Sequence, residues 1–109
     1  MAVLADPIVA TLIDEYREAV ETLLSTAGNP GIQDHARISI VRQLCELSRD
    51  ARFHLGPRQY AEPQQLEELA ACFEESANGI ESLWKDAVPK EVAGYCENIR
   101  DRARLCREG

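Results

Sequence analysis

The sequence predicts an all-α protein, an antiparallel up-down four-helix bundle folded as a single domain over residues 1–109. Apolar residues recur at three- and four-residue steps in four separate segments, the mark of one buried face per helix. Four of the five prolines fall where such segments would begin. No stretch alternates apolar and polar residues with a period of two between turn signals, so strands are not expected.

The first segment, about 7–27, opens at Asp6-Pro7 and places Val9, Leu12, Tyr16, Val20, Leu23 and Ala27 on one face. Gly28 is expected to end it in a left-handed conformation, with Asn29 capping the next helix ahead of Pro30. The second segment, about 31–55, carries Ile40, Leu44, Leu47, Ala51 and Leu55, and Gly56 would close it. The third, about 63–87, begins at Glu62-Pro63 and uses Leu66, Leu69, Phe73, Ala77, Ile80, Trp84 and Ala87. Asn78-Gly79 is a point where it could break. The fourth, about 89–107, follows Val88-Pro89 and uses Val92, Cys96, Ile99, Ala103 and Cys106. Connections this short make successive helices run antiparallel.

A chain of 109 residues with 45% apolar and 28% charged content has room for one core, and with 6% aromatic residues that core is mainly aliphatic. No basic residue precedes Arg17, and no apolar run approaches the roughly 20 residues of a membrane span, so a cytoplasmic protein without membrane contact is expected. Cys45, Cys72, Cys96 and Cys106 form no CxxC pair, and they are expected as buried free thiols.

The net charge of −7 is unevenly spread: residues 6–27 carry about −4 and residues 62–84 about −6 with no base among them. If the acidic first and third helices lay on a diagonal of the bundle, each would touch less acidic neighbours, which lowers repulsion. Glu67, Glu74 and Glu81 recur every seven residues beside Glu68 and Glu75, predicting an acidic ridge on the third helix. Such a ridge either keeps the protein solvated or docks a basic protein surface, where opposite potentials speed encounter. The balance disfavours nucleic acid as partner, because phosphate contacts need clustered bases. Arg100, Arg102, Arg104 and Arg107 do cluster, but at a helix C-terminus, where the dipole favours cations in any case.

On the second helix, Ile38 and Cys45 stand away from the expected core stripe and share a side with Arg42, Arg49 and Arg52. That side is either a broader buried face or a contact surface, such as that of a homodimer.

Little in the chain suggests catalysis, and no metal or cofactor is expected. The two histidines, His35 and His54, stand 19 residues apart, about 28 Å along a regular helix. No Glu-x-x-His pair, phosphate-binding glycine loop or nucleophile elbow occurs. One constellation, Arg49-Asp50-Ala51-Arg52-Phe53-His54, resembles the signature of HEPN-type ribonucleases, helical bundles that use paired Arg and His across a dimer. The resemblance covers six residues. It implies His54 as acid or base and Arg49 as a stabiliser of the phosphate transition state. A regular helix would set those two about 140° apart, so the helix would have to end early at Gly56 to bring them together.

The leading expectation is a non-enzymatic protein-binding module with an acidic helical face. Immunity proteins and antitoxins, acidic helical inhibitors of basic toxins, are a functional analogy drawn from charge and fold class. An adaptor would show the same features.

Overall fold

The computed structural model describes residues 7–54, 62–85 and 87–108. Four helices run in order: α1 Pro7–Ala27, α2 Asp34–His54, α3 Pro63–Ser82 and α4 Lys90–Glu108. They form a four-helix bundle, and no strand occurs among the described residues.

The helix boundaries show which start signals acted. Pro63 occupies the first turn of α3, and the Gln65 side chain reaches back to accept the Glu62 N–H at 3.0 Å, satisfying an amide that lacks an intrahelical partner. Pro89 stands just before α4 and its carbonyl accepts the Ala93 N–H at 2.9 Å. Pro30 behaves differently from expectation. Asn29 Oδ1 accepts the Gly31 N–H and the Asn29 carbonyl accepts the Ile32 N–H, so Asn-Pro-Gly makes a turn and α2 starts only at Asp34. A proline preset for the second position of a turn explains the difference. Gly28 keeps an ordinary backbone rather than a left-handed one; a Cβ there would come 3.3 Å from the Leu24 carbonyl.

The C-terminus of α1 is closed by Arg37 from α2, whose Nε donates to the Ala27 carbonyl at 2.8 Å while its guanidinium lies 5.8 Å from the Trp84 ring centroid. A cation at a helix C-terminus meets the negative end of the dipole, and this one also ties the start of α2 to the turn that follows α3. α3 runs unbroken through Asn78-Gly79. Gly79 has a packing reason: a Cβ would sit 2.9 Å from Leu24 Cδ1 of α1.

Successive helices alternate in direction, but the neighbours are not those of the simplest ring. α1 packs on α2 and α3, and α4 packs on α3 and α2; α2 and α3 touch slightly and α1 and α4 hardly at all. The bundle is therefore two antiparallel hairpins laid side by side, with α1 parallel to α3 and α2 parallel to α4. This overturns the expectation that the acidic helices avoid each other on a diagonal. The most extensive packing joins α3 to α4, where opposite charges meet, and that leaves the two acidic helices adjacent.

The core stripe of α4 falls where the periodicity puts it, with Val92, Cys96, Ile99, Ala103 and Cys106 all buried; in α1 Val9, Tyr16, Val20 and Ala27 are buried as expected, while Leu12 and Leu23 are only partly covered and Ile13 joins the core. In α2 the buried residues are Val41, Leu44, Cys45 and Ser48, a face rotated by about 60° from the expected stripe. Ile40, Leu47 and Ala51 are only partly covered, and Leu55 lies outside the described residues. Tyr16 and Phe73 meet edge to face at the centre, 5.4 Å between centroids and 88° between planes.

Candidate acidic interface

The seven-residue repeat of Glu67, Glu74 and Glu81 follows the edge of α3 that faces α4. Arg107 grips Glu67 through Nε and Nη2 at 2.8–3.0 Å and also reaches Glu74 at 2.8 Å. Arg100 makes a forked pair with Glu81 at 2.6 and 2.8 Å and donates to Asn78 Oδ1. These guanidinium contacts hold all three carboxyls below the ordinary carboxylate range. The three glutamates are thus the inner half of an Arg–Glu ladder that joins α3 to α4. Two arginines expected as dipole caps supply the other half.

Glu68 and Glu75 each sit one residue further on, about 100° round the helix, and leave the ladder. They face the α1 side of α3. Across the seam, Asp14, Glu18 and Glu21 of α1 stand at four- and three-residue steps and share one exposed face. Among the described residues no ion pair forms at Glu18, Glu21, Glu68 or Glu75. Arg17 is the cation in this seam, and it is already engaged: it pairs with Asp14 at 3.4 Å and donates to Cys72 Sγ at 3.4 Å. Burial pushes the Cys72 thiol up, with the Arg17 charge and hydrogen bond pulling the other way.

The seam opens into a pocket of about 130 Å³. Val20 and Leu24 give it an apolar wall, the exposed carboxylates of Glu21 and Glu75 form its rim, and the buried Cys72 and Ser76 line its inner side. The Ser76 and Tyr16 hydroxyls are both buried and interact with each other, at a geometry short of a well-formed hydrogen bond. Burial pushes the Tyr16 phenol above its ordinary range, with Ser76 and the Arg102 charge pulling against it.

The second expected patch divides: Ile38 and Arg42 line a surface pocket of about 260 Å³ with His35, Ser39 and Glu91, while Cys45 is taken into the packing. Ile38 is half-buried against the core, and Cys45 is only 7% exposed, which corrects its placement on an outer contact side. Arg102 of α4 covers it: Nη1 donates to the Cys45 carbonyl at 3.1 Å and to Ser48 Oγ at 2.9 Å, and comes 3.3 Å from Cys45 Sγ. Ser48 Oγ in turn donates to the Cys45 carbonyl at 2.6 Å. This buried polar node fastens α2 to α4. Ser48 is polar, so apolar periodicity passed over it.

Arg49 is exposed beside Asp50, 3.6 Å away. The His54 side chain lies outside the described residues. The helix itself continues through His54, so the two positions stand about 140° apart around its axis. Among the described residues no group of three or more His, Cys, Asp or Glu side chains is placed to hold a metal, and no helix is long and apolar enough to cross a membrane.

Comparison with protein-family models, curated proteins and solved structures finds no match to this chain.

Proposed function

We propose that this protein is a non-catalytic binding module whose α1–α3 face engages a basic protein surface, in the manner of an immunity-like or antitoxin-like inhibitor or an adaptor. One observation carries the reading: the two most acidic helices are neighbours, and the seam between them keeps four carboxylates that no internal cation pairs. On the other side of α3 acid is matched to base, in the Arg100–Glu81 and Arg107–Glu67–Glu74 contacts, whereas these four carboxylates gather on one face. Like charges brought together at a surface oppose compaction. A local conflict of this kind is characteristic of a functional surface, where a partner's complementary charge relieves it. The original ridge is thereby divided. Glu68 and Glu75 remain candidates for contact, while Glu67, Glu74 and Glu81 act first inside the fold.

Fluorescence anisotropy with labelled octalysine tests this at low and physiological salt. Neutralising Glu18, Glu21, Glu68 and Glu75 to Gln is expected to weaken binding at least tenfold. Neutralising Glu67, Glu74 and Glu81 should weaken it far less. Equal losses from both sets would refute the α1–α3 face as the contact surface.

A further inference from the structure

We propose that a second copy of this chain docks on the α2–α4 edge of the bundle about a two-fold axis, so that Phe53 of each copy enters the surface pocket beside Ile38 of the other. This edge lies opposite the α1–α3 face, so the contact leaves that face open to a basic partner.

Position comes first. His35 and Arg42 of α2 and Glu91 of α4 line the pocket, which sets their stripes on the two sides of the α2–α4 groove. Phe53 continues the α2 stripe about five turns beyond His35, and Leu105 continues the α4 stripe about four turns beyond Glu91. Among the described residues these are the large apolar side chains left exposed, Phe53 at 77% and Leu105 at 48%. Singly, an exposed apolar side chain is ordinary. Here each has a mate at a matching step.

In an isologous contact residue i meets j and j meets i, so an axis crossing α2 beside residues 45 and 46 brings Phe53 over Ile38 of the second copy. Arg102 leans toward the start of α4 to touch Cys45 and Ser48, which puts residue 100 of α4 about level with residue 46 of α2. The same axis therefore brings Leu105 over Tyr95, which is half-buried. One axis serves both exposed side chains.

Size and charge admit this occupant. The pocket, about 260 Å³, is larger than the roughly 150 Å³ apolar cavity that accepts benzene, so a phenyl ring has room. Ile38 offers the ring an apolar wall, and the Arg42 guanidinium a cation for its face. Two copies of net charge −7 repel unless they meet where charge is balanced. On this edge Glu46 and Glu91 match Arg42 and Arg49 in number, and Glu46, beside the axis, comes between the two arginines of the second copy.

Sedimentation equilibrium of the full chain should show a reversible monomer–dimer equilibrium. Phe53→Ser should weaken dimerisation at least tenfold with helicity by circular dichroism unchanged, and Ser39→Tyr, which fills the pocket from its own wall, should do the same. Isotope-filtered NOE spectra on mixed labelled and unlabelled protein locate the contact, with cross-peaks expected from the Phe53 ring to the Ile38 methyls and from the Leu105 methyls to the Tyr95 ring. Within one chain about 22 Å of helix separates Phe53 from Ile38, so that cross-peak arises only between copies. A monomer at every concentration, a dimer that survives both substitutions, or cross-peaks elsewhere would overturn the assignment. Octalysine binding should be unchanged in Phe53→Ser; its loss would place the basic partner on this edge and remove the second copy as occupant.

Discussion

Replacing Tyr16 with Phe should make the protein more stable, although it deletes a polar group from the centre of a packed core. The Tyr16 side chain is 5% exposed and its hydroxyl meets only the equally buried Ser76 hydroxyl, at a geometry short of a well-formed hydrogen bond. Mutational data put the burial of such a hydroxyl at about 1–3 kcal/mol unfavourable. Removing the oxygen leaves a void of about 20 Å³, which costs about 0.5 kcal/mol at the usual cavity coefficient. The edge-to-face contact with Phe73 survives, because it involves only the ring. The net gain is about 1 kcal/mol, and for a domain of this size that raises Tm by about 4–8 °C. Urea unfolding at neutral pH measures it directly. The same variant should flatten the alkaline limb of the stability curve. Because burial raises the Tyr16 pKa in the folded state, the unfolded chain loses that proton first. The contribution is therefore complete below about pH 10, the ordinary tyrosine value, and is lost as pH climbs above it. A loss of 1 kcal/mol or more in Tyr16→Phe would show that the hydroxyl is hydrogen-bonded and that the interior polar groups have been misassigned.

Two further outcomes follow from the packing and the ladder. Gly79→Val should destabilise by about 2 kcal/mol in urea unfolding, because its Cβ would arrive 2.9 Å from Leu24 Cδ1 and its branched methyls leave less room to adjust; a neutral result would mean that α1 and α3 are not closely packed at this point. Glu67, Glu74 and Glu81 have carboxyls held below the ordinary range by Arg107 and Arg100, so their stabilisation is present above about pH 4.5 and lost as pH falls through their folded values. The drop in the urea midpoint between pH 5 and pH 3 should accordingly be smaller in the triple Gln variant than in the native protein, and salt should shrink the difference.

The α4 stripe could be read directly because each of its buried positions is apolar and the helix is amphipathic. Reading α2 by the same rule placed its face off the true one, since Ser48 belongs to the core and Cys45 lies beneath Arg102. Hydropathy does not register a hydroxyl that is buried because a guanidinium meets it. The seven-residue spacing of Glu67, Glu74 and Glu81 correctly placed them on one edge. It could not say what that edge faced. A usable signal was present in α4, where Arg100 and Arg107 share the same seven-residue step, as antiparallel partners of a glutamate ladder should. Helix order was harder, because alternating direction is compatible with either arrangement of neighbours. Charge balance favoured the wrong one: it treats repulsion between acidic helices as something the fold avoids, whereas this fold keeps it at one seam.

Mapping the octalysine footprint by amide shifts on the 15N-labelled protein is the most direct test of where binding occurs. The footprint should follow α1 from Glu18 to Leu24 and α3 from Glu68 to Ser76, with the amides of Arg100 and Arg107 undisturbed. A footprint running instead along Glu67, Glu74, Glu81 and the facing edge of α4 would mean that the ladder opens to bind, and would contradict the division of the acidic residues into an inner ladder and an outer face.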